Sequence, residues 1–168
     1  QYLADLVKSG AFDMIYHEHL DYHTIRPLAR FLKTFGMVLT RWDHIPTHGG
    51  SVRLWARKAG EECELPDEAL DWDGLRARMA EVKERLTAIL ERHGEVVAFG
   101  ASAKAATLIN ELGIAKYIKC AVDDTPHKQY RYIPGTNIPI NPVHVLKDEP
   151  VLLTAWNYEK EIAQRIPN

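Results

Sequence analysis

From residue 96 onward, short apolar runs alternate with helical stretches, and this alternation constrains the fold more than any other feature of the chain. Residues 96–99 read as a strand, 102–112 as a helix and 117–122 as a second strand. A short helix closes at Val145 and Leu146, residues 151–154 read as a strand, and 158–165 as a last helix. Strands this short and this uniformly apolar suit a parallel sheet covered on both faces. Strand–helix–strand units in one sheet cross over right-handedly. The spacing therefore predicts an α/β fold, a Rossmann-like half with three layers.

The preceding residues follow another pattern. Leu3, Leu6 and Val7 fit a helix that ends at Gly10, and 12–16 is a short apolar run with the look of a buried strand. Ile25, Leu28, Leu32 and Phe35 recur at helical spacing until Gly36 stops them. Residues 37–42 and 51–55 then read as an antiparallel strand pair joined through Pro46 and Gly49-Gly50. Residues 59–71, rich in acids and turn formers, read as a linker. From 72 to 93 the residues Leu75, Met79, Val82, Leu86, Ile89 and Leu90 predict one apolar face of a long helix. The chain opens in mid-helix with no cap, as expected of a piece of a longer protein.

Composition narrows the function. A net charge of −2 gives no basic patch for nucleic acid, and no apolar run approaches the roughly 20 residues that span a bilayer. Two distant cysteines, Cys63 and Cys120, suggest reduced thiols in a cytoplasmic protein rather than a disulfide framework.

Five of the eight histidines lie between His17 and His48, so this stretch is the first place to seek a site. Tyr16-His17-Glu18-His19 begins where an apolar run gives way to polar residues. A histidine beside a carboxylate can be held in one tautomer as a general base, and Tyr16 adds a phenol that can donate to a developing oxyanion. A metal site through His17 and His19, or histidines satisfied by backbone, would look the same from sequence. Further on, His48-Gly49-Gly50-Ser51 combines hydrogen-bonding tips with glycines that let backbone approach a ligand, or simply makes a hairpin turn.

Gly100-Ala101-Ser102-Ala103-Lys104 lies between a strand and a helix. Amides at a helix amino terminus favour an anion, and Lys104 adds a full positive charge, so a phosphate or diphosphate is the expected guest. The later glycines of a dinucleotide fingerprint are missing. Asp123, at the end of the next strand, stands where an acid often meets a ribose, which keeps open a non-catalytic nucleotide- or dinucleotide-binding module.

These landmarks, with Lys128 through Pro134-Gly135-Thr136 and then Ala155-Trp156-Asn157, occur in the order seen in one family. The chain resembles the sugar C-methyltransferases, which methylate a carbon of a nucleotide-linked keto-deoxysugar with S-adenosylmethionine. The resemblance implies that 1–58 is the tail of a methyltransferase-type Rossmann domain, its last strands and helix, that 59–71 is a linker, and that 72–168 is a carboxy-terminal Rossmann-like domain holding the nucleotide sugar. It implies that His19 is the base, with Glu18 and Tyr16 orienting or polarising groups nearby. His48, Gly49 and Ser51 would lie around the sugar, and Ser102 and Lys104 would meet the diphosphate or nucleotide. The zinc cysteines and glycine-rich donor loop of the family are absent from this sequence. The S-adenosylmethionine site is therefore expected mostly outside it, and the piece alone should not turn over. Tyr130 stands where the family's loop would have a glycine, and Ala105-Ala106 replaces a more polar pair.

Overall fold

Val96–Phe99 (β3), Ile118–Val122 (β4), Ile140–Asn141 (β5) and Val151–Leu153 (β6) form a four-stranded sheet in the order β5-β4-β3-β6, and every neighbouring pair is parallel. The computed structural model describes residues 1–47 and 50–164, the side chain of Asn157 excepted. The chain divides into two units, residues 1–12 with 18–79 and residues 13–17 with 80–164 among those described.

In the second unit, all four residues of β3 are buried, as a strand covered on both faces requires. Val97 and Phe99 share one face with Cys120 and Val122, and these join Leu146 and Ile162 in a core edged by Val143, Val151, Leu153 and Ala155. The opposite face carries the small Ala98 and Ala121 by strand alternation. Ala103–Leu112 (α4) follows β3 and has Ser102 as its amino-terminal cap, where the hydroxyl oxygen accepts the Ala105 N–H. Gly113, at φ +67°, ends the helix. Glu159–Ala163 (α5) is the last helix described, so Arg165 lies outside the described residues. The α/β class and the parallel sheet agree with the alternation in the sequence. β5 was not legible there: it has two residues, set between Pro139 and Pro142, and no apolar run announces it.

In the first unit, Leu3–Ser9 (α1) ends at Gly10 in the left-handed region, and Ile25–Thr34 (α2) is followed by Gly36 at φ +67°. Val38–Ile45 (β1) and Ser51–Arg57 (β2) pair antiparallel, with an irregularity between Leu39 and Arg41. Tyr2, Ile25, Ala29 and Leu39 are its buried core. Phe12–Met14 is a turn of 3-10 helix, not the strand that its apolar run suggested. Phe12, Asp13 and Met14 are all buried, a run of three that strand alternation across a half-covered surface does not give.

Residues 59–71 have no helix or strand, yet they are strapped to the first unit. Cys63 N–H donates to the Leu39 carbonyl, and Trp42 Nε1–H donates to the Glu64 carbonyl. The Glu68 carboxylate accepts the Ile25 N–H at 2.8 Å on both oxygens, capping α2 from 43 residues away, a role Thr24 does not fill. Trp72–His93 (α3) then runs from one unit into the other. Leu75 and Leu90 of its expected apolar face are buried, whereas Val82 and Ile89 are exposed.

Candidate functional site

The carboxyl ends of β3, β4 and β6 meet at Gly100, in the position where open α/β sheets bind ligands. Gly100 has φ +102°, and a Cβ there would lie 2.8 Å from the Ala155 Cβ. The turn is pinned from both sides. Gly100 N–H donates to the Val122 carbonyl at 2.8 Å, and the buried Thr154 hydroxyl lies 2.8 Å from the Phe99 carbonyl and 2.6 Å from that of Gly100. The glycine between strand and helix is therefore needed for close approach of β6.

Asp123, buried at the end of β4, reaches back across this turn. Its Oδ2 accepts the Ala101 N–H at 2.8 Å and the Lys128 ammonium at 3.1 Å, and its Oδ1 accepts the Thr125 N–H at 2.9 Å. Burial alone would push the Asp123 carboxyl up, but the hydrogen bonds from Thr125, Ala101 and Lys128 outweigh it and hold the carboxyl below its usual value. A ribose hydroxyl reaching the acid would have to share a carboxylate already engaged by three donors. The network also fixes the loop after β4. Gln129 Nε2–H donates to the Asp123 carbonyl, and Tyr130 N–H to that of Ile140, which holds Tyr130 at φ +63°. The position at which the resemblance implies a glycine is thus a left-handed one, and here it carries an exposed tyrosine at a cost of about 1 kcal/mol.

Because the Asp123 carboxyl is depressed in the fold, its stabilisation is complete above the unfolded carboxyl value of about 3.9 and is lost as pH falls through the folded value. Asp123→Asn should cost about 2 kcal/mol at pH 7, the penalty of unpairing buried donors. Thermal melts should show a smaller gap between variant and wild type at pH 3 than at pH 7. An equal gap at both would remove the ionised carboxylate from the account.

Lys104 sits in the first turn of α4, half-buried, with its ammonium 5.1 Å from the centroid of the Trp156 ring. Trp156 Nε1–H donates to Asp13 Oδ2 at 2.8 Å, and Asp13 is 6% exposed. Nearby, the Thr107 hydroxyl donates to the Ile15 carbonyl, so the start of the histidine-rich segment lies against α4 within the second unit. Asp13 and Trp156 were not read as site residues. The buried acid inside the apolar run 12–16 was the available signal. Ser102 stands beside Lys104, and while its oxygen serves as the cap its hydroxyl proton can still donate to an anion.

Of the acid–base candidates, Tyr16 is half-buried in the second unit with its ring edge-on to His17, centroids 6.3 Å apart. Glu18 is exposed and His19 half-buried in the first unit. Among the described residues no three His, Cys, Asp or Glu side chains are grouped to hold a metal ion. No described helix is long and apolar enough to cross a membrane.

Ser51 opens β2, with its hydroxyl donating to the Thr47 carbonyl; His48 and Gly49 lie outside the described residues. What Gly50 lets approach is the Asp5 carboxylate, which a Cβ there would overlap. Asp5 Oδ2 lies 2.5 Å from His44 Nε2, and Asp5 and Tyr2 line a cleft of about 330 Å³ with Lys8, Glu68, Asp71 and Arg78. Burial and Glu68 hold the Tyr2 phenol well above its usual value, as befits a structural hydroxyl.

Two similarities bear on this arrangement. The sequence model of the C-methyltransferase C-terminal domain matches residues 67–168. C-methyltransferase NovU of Streptomyces niveus is 28% identical over 185 residues, an alignment that takes in 96% of this chain and 44% of that protein. The chain thus spans less than half the length of the relative it matches. With the match covering α3, the parallel sheet and the glycine turn, the chain belongs to the C-methyltransferase C-terminal domain family.

Proposed function

We propose that this chain forms the substrate-handling part of an enzyme that removes a proton beside the ketone of a nucleotide-linked deoxysugar and methylates that carbon. The observation that carries the reading is the family match over 67–168, joined by the similarity to NovU, a C-methyltransferase.

A proton beside a ketone becomes removable when the enolate oxygen is stabilised as the base acts. His19 is the base in this reading, Glu18 orients its ring, and the Tyr16 phenol donates to the enolate oxygen. His48, Gly49 and Ser51 contact the sugar. The Ser102 hydroxyl and the Lys104 ammonium hold the diphosphate at the amino terminus of α4, where the helix dipole also favours negative charge. S-adenosylmethionine supplies the methyl group that the enolate carbon takes. No residue of this chain is assigned to that donor: the turn at Gly100 has the Asp123 carboxylate across its Ala101 amide. Turnover accordingly belongs to the longer protein, and the 168-residue chain is inactive alone.

The test has two arms. The intact protein, given S-adenosylmethionine and a keto-sugar nucleotide, should yield a sugar nucleotide one methyl group heavier. Calorimetric titration of the 168-residue chain should give heat with a nucleoside diphosphate and none with NAD. Heat with NAD alone, and no methylated product, would favour a dinucleotide-binding module instead.

A further inference from the structure

We propose that Asp13 and Trp156 are positioning residues that hold the Lys104 ammonium at the amino terminus of α4 to receive the diphosphate of the substrate. This deepens the reading of Lys104 given above and rests on it.

Lys104 is electrostatically out of place as a helix residue. The amino end of a helix carries partial positive charge and favours acids, whereas the first turn of α4 contains Lys104 and no acid. A local rule broken in this way is expected at functional sites. A lysine stem is also long and flexible, and leaving it unrestrained would forfeit most of the benefit of its charge to conformational entropy on binding.

Three constraints remove that freedom. The ammonium lies over the face of the Trp156 indole, whose quadrupole attracts a cation. An indole turns about only two side-chain bonds, and the 2.8 Å hydrogen bond from its Nε1–H to Asp13 fixes the ring. Asp13 is buried in the 3-10 turn Phe12–Met14, and the bond from Thr107 to the Ile15 carbonyl holds the residues that follow against α4. Burial draws the Lys104 ammonium below its usual value, and the Asp13 charge opposes that drift. Asp13 thus both orients the platform and favours the charged form of the lysine, while Trp156 is itself 43% exposed and Lys104 only half-buried.

The experiment is a set of double-mutant cycles on the 168-residue chain. D13N and W156L are each made alone and together with K104M, and the Kd for thymidine diphosphate is measured by calorimetry, with thermal melts to verify folding. K104M should weaken binding about tenfold or more, the size of one charge-assisted contact. D13N and W156L should weaken it about fivefold when Lys104 is present and less than about twofold in the K104M background, the pattern of residues that act through one another. W156F keeps an aromatic face but loses the N–H, and it should fall between wild type and W156L. Free of any ligand, W156L should move the Lys104 ε-methylene proton resonances downfield by removing the ring current. Equal losses with and without K104M, or unmoved ε resonances, would overturn the positioning role while leaving the diphosphate reading intact. Unchanged binding in K104M would overturn both.

Discussion

Gly100→Ala should destabilise the protein by about 3 kcal/mol or more and lower the melting temperature by roughly 10 °C. Two penalties coincide at this residue. Its φ of +102° lies outside the regions open to a residue with a side chain, and the added methyl would lie 2.8 Å from the Ala155 Cβ and 3.4 Å from the Thr154 hydroxyl. Neither neighbour can yield. Thr154 is bonded to the Phe99 and Gly100 carbonyls, Ala155 N–H donates to Phe99, and Gly100 itself donates to Val122. Relaxation would break the register of β3 with β4 or β6. Gly113→Ala is the control: φ there is +67° with nothing within 4 Å of a new Cβ, so only the backbone penalty of about 1 kcal/mol applies. Thermal or urea unfolding of the two variants separates the effects. A Gly100→Ala loss as small as that of Gly113→Ala would mean that β6 does not approach the turn this closely.

Gly100 also shows what the sequence could and could not convey. The alternation of strands and helices, with glycine directly after an apolar run, was enough to predict the turn, because a parallel strand entering a helix has few ways to reverse. The physical demand on the glycine comes from Thr154 and Ala155, more than 50 residues away, and no local pattern announces it. Residues 59–71 teach the same lesson. Their acids and turn formers look like a solvated connection, yet Glu68 caps α2 across 43 residues. A cap supplied by the neighbouring residue, as Ser102 is on α4, lies within a local sequence pattern, whereas one supplied from a distance does not.

The candidate site divides similarly. Lys104 was visible as a charge in the first turn of a helix. Asp13 and Trp156 were not read as its partners, because that grouping exists only once a 3-10 turn and the end of β6 meet. Phe12–Met14 misled for a related reason: a short apolar run fits a strand and a buried turn equally well, and only tertiary packing decides. Asp123 was read as an acid at a strand end placed to meet a ribose, and the three donors that close on it come from elements on either side of β4.

His19→Asn in the intact enzyme should lower kcat about a hundredfold or more while changing KM little. A general base acts in the transition state, and its removal leaves ground-state contacts with the nucleotide in place. Asparagine keeps a polar side chain of similar reach but cannot accept and hold a proton at neutral pH, so the loss reports proton transfer rather than packing. The half-step can be read separately. With the methyl donor omitted, wild-type enzyme in deuterated water should exchange the proton beside the ketone into deuterium, and the variant should do so more slowly by the same factor as kcat. Lys104→Met should do the opposite, raising KM for the sugar nucleotide with a smaller change in kcat, because the diphosphate contact proposed for it would be made equally before and during the reaction. Together the pair distinguishes chemistry from holding. A His19→Asn enzyme that folds and turns over like wild type would take the base away from His19 and return the role to Glu18 or Tyr16, whose Gln and Phe variants would then be expected to carry the loss.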